Sequence, residues 1–160
     1  MLVSGGVVLP VVTIVALLAY GLPAGQSMRT PPAAPVYTVD VIAHQWRWEI
    51  KYPDREGAVL SSENVIHIPA GQTVALRIGS ADVIHSFWVP RLGGKIDAIP
   101  GRTNVLYLQA DEPGEYAGVC AEFCGIGHAE MPMTVVAHDA ANLAAARAEL
   151  TVQTETGVTP

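Results

Sequence analysis

The segment CAEFCGIGHAEM, residues 120–131, contains both cysteines of the chain, followed by a histidine and a methionine. Cys120 and Cys124 are four positions apart, His128 lies four positions further on, and Met131 ends the segment. Two thiolates, an imidazole and a thioether are soft to borderline metal ligands, and this class of donor favours copper. The spacing therefore predicts a copper site in this segment.

Two other interpretations of the cysteine pair explain less of the segment. A disulfide between Cys120 and Cys124 would close a very short loop and gain little stability, because disulfide stabilisation grows with loop length in the entropy model. It would also leave His128 and Met131 without a role. A structural zinc site normally uses Cys and His without a thioether. Copper accounts for all four side chains.

A second imidazole is needed if two cysteines bridge two copper ions, since a mononuclear blue-copper site uses one cysteine. His85, in the motif DVIHSFWVP, ends a strand-like run and precedes aromatic residues that can exclude solvent. We expect His85 to complete the donor set. His44, His67 and His138 lie in strand-like contexts with no second ligand nearby, and we do not expect them to bind metal.

The N-terminal segment is strongly apolar. Residues 2–22 carry no charged side chain, and about 20 apolar residues are enough to span a hydrocarbon core of about 30 Å. A secretory signal peptide cleaved near Ala24 is the alternative, but no Lys or Arg precedes Arg29 and the apolar run is longer than a usual signal core. We therefore predict a transmembrane helix at residues 1–23 and a proline-containing linker at residues 24–35.

From residue 36 onward the chain reads as short strands separated by turn signals, which predicts an all-β sandwich or barrel at residues 36–140. In VYTVDVIAHQWRWEIKYP the apolar face changes phase, and we expect a β-bulge near His44–Gln45. Further strands are expected in NVIHIPAG, TVALRIGS, VIHSFWVP, TNVLYLQA, GEYAGVC and MPMTVVAH. Asp139 is a candidate N-cap for a helix in AANLAAARAEL, so residues 141–160 are predicted to be a short helix and a frayed tail.

The chain is acidic, with 15 Asp and Glu residues against 9 Lys and Arg residues and a net charge of −6. This charge excludes nucleic acid as a partner. Asp82, Asp97 and Glu130 lie close in sequence to the expected ligands. Several acidic side chains near one site attract a basic protein partner.

Three motifs give the chain a resemblance to subunit II of cytochrome c oxidase: HQWRWE, HSFWVPRLGGKIDAIPGR and GEYAGVCAEFCGIGHAEMPM. The resemblance extends from the apolar segment to about residue 138 and implies a cupredoxin-like Greek-key domain with a dinuclear copper-A centre. It also implies the copper ligands Cys120, Cys124, His85, His128, Met131 and the backbone carbonyl of Glu122. In that set the two cysteines bridge the copper ions, each histidine binds one ion, and the methionine is a weak ligand.

By the same resemblance, the chain is the electron-accepting subunit of a haem-copper terminal oxidase, a proton-translocating oxidoreductase complex. Electrons pass from a c-type cytochrome to copper-A and on to the haem of subunit I, where oxygen is reduced, so this chain transfers electrons only. Trp46 matches the residue through which electrons enter. The Glu122 side chain matches a ligand of a magnesium ion shared with subunit I. The copper domain would face the periplasm of a bacterial inner membrane, or the mitochondrial intermembrane space.

Two features differ from the common pattern of this family. The usual subunit has two membrane helices and this sequence has one apolar span, so the chain belongs to a one-helix branch or has lost its N-terminal part. We expect a single-pass membrane protein. Arg47 stands between Trp46 and Trp48, where the family often has an aromatic residue.

Two alternative functions use related metal sites: an electron-accepting subunit of a copper-A-containing nitric oxide reductase, and a copper-delivery protein. The WRW motif and the apolar span favour the oxidase over the reductase. A copper chaperone binds Cu(I) at an exposed, exchangeable site, whereas this donor set suits a mixed-valence pair. A quinol-oxidase subunit would leave the metal ligands without a purpose.

Overall fold

The computed structural model describes residues 3–29, 34–53 and 59–153 of the chain. The chain divides into two compact units, Met1–Pro32 and Ala33–Pro160. The first unit contains the apolar segment of the sequence, and the second contains the cysteines and all the motifs that the sequence analysis singles out.

The first unit is helical. A π-helical turn, Ser4–Val8, continues into helix α1, Leu9–Arg29. The 23 residues Ser4–Gln26 have a mean hydropathy of 2.2, and their length and composition suit a membrane span, although a signal sequence has the same properties. Helical backbone continues through Pro23 and includes residues 24–29, where the sequence analysis expects a linker.

The second unit is a sandwich of two β-sheets. In chain order its strands are β1 Thr38–His44, β2 Arg47–Pro53, β3 Val59–Glu63, β4 Val65–Pro69, β5 Val74–Ser80, β6 His85–Val89, β7 Gly93–Ala98, β8 Asn104–Leu108, β9 Gly114–Cys120, β10 Pro132–His138 and β11 Thr151–Gln153. The first sheet has the order β11-β3-β2-β1-β5-β8, and the second has the order β4-β10-β9-β6-β7. The predicted all-β fold is confirmed.

Strand pairing in the second sheet positions the candidate ligands. β4 pairs with β10 in parallel register, and β10 pairs with β9 in antiparallel register. β9 is also antiparallel to β6, so the end of β9 lies beside the start of β6. As a result, His85 and Cys120 become neighbours although they are 35 positions apart in the chain.

The segment around Trp46 forms a β-hairpin rather than one bulged strand. Gln45 and Trp46 make the turn between β1 and β2, and the register pairs His44 with Arg47. Directly paired residues of an antiparallel ladder point to the same face, so odd-numbered residues of β1 share the buried face with even-numbered residues of β2. The expected bulge near His44–Gln45 is therefore wrong, because the phase changes at the turn itself.

The inward faces of the two sheets enclose a core in which Trp48, Tyr52 and Phe87 are large, fully buried side chains. Burial alternates along β1 and β10, as expected for strands that pack on one face only. Both cysteines and Met131 belong to the same buried cluster. The positions of these sulfur atoms are therefore set by the packing of the core, which leaves little free volume for rearrangement.

The structure contains three strands that the sequence analysis does not predict: β3, β7 and β11. The sequences of β3 and β7, VLSSE and GGKIDA, have little apolar alternation. β11 pairs with β3, so the predicted frayed tail is wrong for Thr151–Gln153. Residues 154–160, the rest of that tail, lie outside the described residues.

The predicted C-terminal helix is confirmed as α2, Ala140–Ala148. Its N-cap is Asp139, whose side chain accepts hydrogen bonds from the backbone N–H groups of Ala141 and Asn142. This is the arrangement that an N-cap carboxylate provides for the first unpaired N–H groups of a helix.

Candidate metal centre

Two strands and the loop after β9 carry the candidate ligands. His85 is the first residue of β6, not the end of a strand as the sequence suggests, and Cys120 is the last residue of β9. The loop of residues 121–131 then carries Cys124 and a short 3-10 turn, His128–Glu130, before β10 begins. The loop thus starts and ends on neighbouring strands of one sheet, which holds both of its ends in place.

The two thiols lie side by side without a disulfide bond. Cys120 Sγ and Cys124 Sγ are 3.9 Å apart and both cysteines are free, whereas a disulfide bond is about 2.05 Å long. Cys120 Sγ also lies 3.8 Å from His85 Nδ1 and 3.3 Å from the backbone carbonyl oxygen of Glu122. An imidazole and a carbonyl therefore accompany the first thiol.

A second group of donors surrounds the other thiol. Cys124 Sγ lies 3.7 Å from His128 Nδ1 and 3.9 Å from Met131 Sδ. Two atoms bound to one tetrahedral metal ion at about 2.0–2.3 Å are about 3.3–3.8 Å apart. The observed spacings therefore leave room for a metal ion between neighbouring donors, and the side chains present fit a dinuclear sulfur-bridged site.

The donor cluster is largely closed to water. His85, Cys120, Cys124 and Met131 are at most 5% exposed, and His128 is half-buried. Burial, reinforced by the neighbouring Cys120 thiol, raises the pKa of Cys124 to about 11. A metal ion that binds here must displace a thiol proton, so metal binding is coupled to proton release.

Asp82 orients the His85 ring. Asp82 Oδ1 lies 2.8 Å from His85 Nε2, so a proton on Nε2 leaves the lone pair of Nδ1 facing Cys120. The same carboxylate accepts hydrogen bonds from the backbone N–H groups of Gln45 and Val83. Burial opposes ionisation, but the hydrogen bonds from His85, Gln45 and Val83 outweigh it and lower the pKa of Asp82 to about 2. The sequence analysis treats Asp82 only as a surface charge.

The turn between β1 and β2 is tied to the ligand loop. Gln45 Nε2 donates a hydrogen bond of 2.8 Å to the backbone carbonyl of Cys124. The Trp46 ring is 37% exposed and packs on Gly125 and Gly127, where an added β-carbon would lie 3.2 Å and 2.5 Å from it. The sequence analysis singles out Trp46 but misses Gln45. The only sequence feature that could have indicated Gln45 is its position next to Trp46.

Aromatic rings cover the His85 side of the cluster. The Trp48 ring meets the His85 ring edge-on, with centroids 6.1 Å apart, and Phe87 packs edge-on against Trp48 at 5.7 Å. Trp88, which follows Phe87, is instead 38% exposed. Of the two aromatic residues that follow His85, one therefore excludes water and the other faces it.

The three remaining histidines lie outside this cluster. His44 Nε2 is 3.2 Å from Glu49 Oε2. His67 and His138 contact each other, with Nδ1 and Nε2 2.8 Å apart. The expectation that no second ligand lies near His67 or His138 is wrong. The two histidines are distant in sequence, but their strands, β4 and β10, are neighbours in the sheet.

A groove of about 590 Å³ lies beside the ligand loop and is lined by Gln45, Val83, Ile84, Asp97, Glu122, Phe123, Cys124 and Gly125. The Glu122 carboxylate accepts a hydrogen bond from the Phe123 N–H at 3.2 Å. Asp97 Oδ1 lies 3.0 Å from Lys95 Nζ and 2.9 Å from Ser86 Oγ. The groove thus combines exposed apolar side chains with two carboxylates.

The fold is a cupredoxin-like β-sandwich, and its buried donor cluster is compatible with a soft metal. Residues 54–138 match the family described as cytochrome c oxidase subunit II, periplasmic domain. This stretch begins after Trp46 and includes all six candidate ligands. The chain belongs to the cytochrome c oxidase subunit II family. The resemblance and the cupredoxin-like fold predicted from the sequence are confirmed.

Individual relatives agree with this assignment. Cytochrome c oxidase subunit 2 of Alkalihalophilus pseudofirmus is 46% identical over 99 residues, which cover 62% of this chain and 28% of that protein. The same subunit of Cereibacter sphaeroides is 33% identical over 163 aligned positions, covering 80% of this chain and 54% of that protein. The chain thus spans about half, or less, of the curated relatives it matches.

A solved structure supports the fold. The periplasmic domain of subunit II of cytochrome oxidase from Bradyrhizobium japonicum superposes with a TM-score of 0.68 at 29% sequence identity. The superposition covers 72% of this chain and 94% of that domain. Nearly all of that periplasmic domain therefore has a counterpart in this chain.

Replacing Gly127 with alanine should displace the Trp46 ring, because the new β-carbon would lie 2.5 Å from it. The φ of Gly127 is −89°, which alanine adopts without strain, so the ligand loop should keep its path. We expect a changed near-UV circular dichroism spectrum, with unchanged metal content. The control Ala129→Ser adds one atom in the same loop. The prediction fails if Gly127→Ala leaves the spectrum unchanged, or if the change persists in a Trp46→Phe background.

Proposed function

We propose that this chain holds a dinuclear copper-A centre in which Cys120 and Cys124 bridge two copper ions. His85 and His128 would each bind one ion, because each imidazole nitrogen faces a different thiol. The chain supplies both sides of the pair from its own side chains. The thiols and imidazoles are of the class that favours copper over the hard cations magnesium and calcium.

Met131 and Glu122 complete the proposed donor set. Met131 Sδ lies beside Cys124 Sγ, and the Glu122 carbonyl lies beside Cys120 Sγ. A thioether and a carbonyl are weak ligands, and donors of this kind tune the potential of a copper site. Because the Glu122 donor is a backbone atom, its side chain is left for a different role.

We infer that the chain is the electron-accepting subunit of a haem-copper terminal oxidase. When bound, the copper pair supplies a one-electron carrier between a c-type cytochrome and the haem of subunit I, where oxygen is reduced. The observation that carries this proposal is the closed donor set: protein donors stand on both sides of the two thiols, and the four most buried donor residues are at most 5% exposed. Ligands locked in a packed core also limit rearrangement between oxidation states.

The Trp46 ring fits the position at which electrons enter. It is partly exposed, it packs on the ligand loop, and the neighbouring Gln45 is hydrogen-bonded to the Cys124 carbonyl. Ring and ligand loop are therefore in direct contact. The carboxylates of Asp82 and Glu130 near the ligands give this part of the surface negative charge, which suits a basic cytochrome.

Replacing Trp46 with phenylalanine should slow electron transfer from a c-type cytochrome by about tenfold or more, equivalent to about 1.4 kcal/mol in the barrier. The copper content and the optical spectrum should stay the same, since Trp46 supplies no ligand. Stopped-flow mixing of the copper-loaded chain with reduced cytochrome measures the rate. Trp88→Phe, which alters a tryptophan of similar exposure on β6, is the matched control. Loss of copper from Trp46→Phe would show that the ring supports the loop rather than the transfer.

We propose further that the groove beside the ligand loop faces subunit I and that Glu122 helps to hold a magnesium ion there. The Glu122 side chain lines this groove together with Asp97, and carboxylate oxygen is the ligand that Mg²⁺ prefers. The backbone carbonyl of Glu122 would thus serve copper while its carboxylate serves a hard cation.

The change Glu122→Gln separates these two roles. Both copper ions should remain, because a nearly isosteric amide leaves the backbone carbonyl in place, while magnesium bound to the assembled oxidase should decrease. Metal analysis of the isolated chain and of the complex measures both effects. Glu130→Gln, an exposed carboxylate in the same loop, is the control. Loss of copper from Glu122→Gln in the isolated chain would mean that the carboxylate holds the loop or the metal directly.

We propose that α1 anchors the chain to a bacterial membrane and that the copper domain lies on the periplasmic side. This is supported by the length and apolar composition of α1 and by the periplasmic domain that the family description names. The nitric oxide reductase alternative has no support from the comparisons, in which the relatives are subunits of cytochrome c oxidases. The copper-delivery alternative requires an exposed, exchangeable metal site. It conflicts with the burial of the four most buried candidate ligands, which are at most 5% exposed.

A thiol–disulfide partner is a further proposal for this chain. A solved structure that is 26% identical, with a TM-score of 0.65, is a mixed disulfide intermediate between a thioredoxin-like protein and subunit II of cytochrome c oxidase. Copper binding requires reduced cysteines, and two thiols 3.9 Å apart need little movement to form a disulfide. A thioredoxin-like reductant of the Cys120–Cys124 pair would keep the site competent for metal.

A further inference from the structure

Two histidines of neighbouring strands face each other outside the copper site. His67 lies on β4 and His138 ends β10, two strands in parallel register. His67 Nδ1 and His138 Nε2 are 2.8 Å apart, the ring centroids are separated by 5.1 Å, and the ring planes are inclined by 26°. Both side chains are half-buried, so solvent and small ions reach the pair.

The two tyrosines near His67 form hydrogen bonds with its backbone and not with its imidazole ring. The His67 N–H donates to the Tyr52 hydroxyl oxygen at 2.7 Å, and the His67 carbonyl accepts from the Tyr37 hydroxyl at 2.8 Å. The Arg147 guanidinium lies over both tyrosine rings, 5.0 Å from the centroid of Tyr37 and 5.5 Å from that of Tyr52. α2, which carries Arg147, is thereby packed against the strands beside the histidine pair.

Asp139, the carboxylate that follows His138 in the chain, is already occupied. It accepts the hydrogen bonds that cap α2. Glu149 lies at the other end of α2 and is exposed. Burial and the neighbouring His138 lower the pKa of His67, and the negative charge of Glu149 opposes this effect. A lowered pKa keeps His67 neutral at neutral pH, which is the form of imidazole that binds metal.

We propose that His67 and His138 together bind one divalent ion of zinc or copper. Two imidazole nitrogens on one such ion, at bond lengths of about 2.0–2.1 Å, are about 2.9–3.4 Å apart. The observed 2.8 Å separation is therefore close to the spacing that a shared ion requires. Small rotations of both rings would turn the two lone pairs toward the ion and replace the hydrogen bond between the rings. Two imidazole donors leave the other positions of a tetrahedral ion for water.

This site is separate from the proposed copper-A centre. β10 runs from Pro132, beside Met131, to His138 at its other end. Six residue steps at about 3.3 Å put the histidine pair about 20 Å along the strand. A metal ion at the pair would join β4 and β10, and it would use none of the copper ligands.

The test is a calorimetric titration of the full copper-loaded chain with zinc chloride. We expect about one Zn²⁺ per chain near pH 7.5 and weaker binding near pH 5.5, because protons compete with zinc for imidazole nitrogen. His67→Gln and His138→Gln should each weaken binding by at least about tenfold. His44→Gln removes a half-buried histidine that contacts a carboxylate but no second imidazole, and it should change nothing.

X-ray absorption at the zinc edge of the unmodified chain provides a result that does not depend on any variant. It should show imidazole nitrogen around the zinc ion, with the copper content unchanged. The proposal is overturned if the copper-loaded chain binds no zinc, if zinc has oxygen ligands only, or if zinc displaces copper. It is equally overturned if both histidine variants, folded as judged by their copper spectrum, bind zinc as well as the unmodified chain does.

Discussion

Two buried thiols held 3.9 Å apart are the constraint on which the rest of the domain depends. They must be close enough to share metal ions, yet a slightly shorter approach would allow a disulfide. The loop that carries Cys124 starts from β9 and returns to β10, two strands that pair with each other and pack on the core. Since a packed interior resists small displacements, this anchoring keeps the spacing of the sulfur atoms nearly fixed.

The contacts around the thiols join the metal centre to the surface. Asp82 fixes the His85 ring and also accepts a hydrogen bond from the Gln45 backbone, while the Gln45 side chain binds the Cys124 carbonyl. The Trp46 ring, on the same turn, rests on the ligand loop. This short turn is thus connected to His85 through Asp82 and to Cys124 directly. Partners of this kind orient metal ligands and tune the metal, so a change in the turn is felt at the site.

The sequence points to the candidate donors more readily than to the residues that support them. Most of the candidate donors lie within twelve residues, so the local spacing indicates their chemistry. The alternation of apolar and polar residues places His85 on a strand. The hairpin at Gln45 is mistaken for a bulge because both produce the same one-residue phase change. The Gln45–Asp82 contact spans 37 positions and the His67–His138 contact spans 71. Such pairs depend on sheet register, which no local pattern encodes.

The central claim is that the two thiols bridge two copper ions as one electronic unit. Electron paramagnetic resonance of the oxidised, copper-loaded chain, with metal analysis of the same sample, tests this most directly. The account predicts two copper ions per chain and the hyperfine pattern of one unpaired electron shared equally by two copper nuclei. One copper ion with the pattern of a single nucleus, zinc in place of copper, or a disulfide between Cys120 and Cys124 under copper-replete conditions would contradict it.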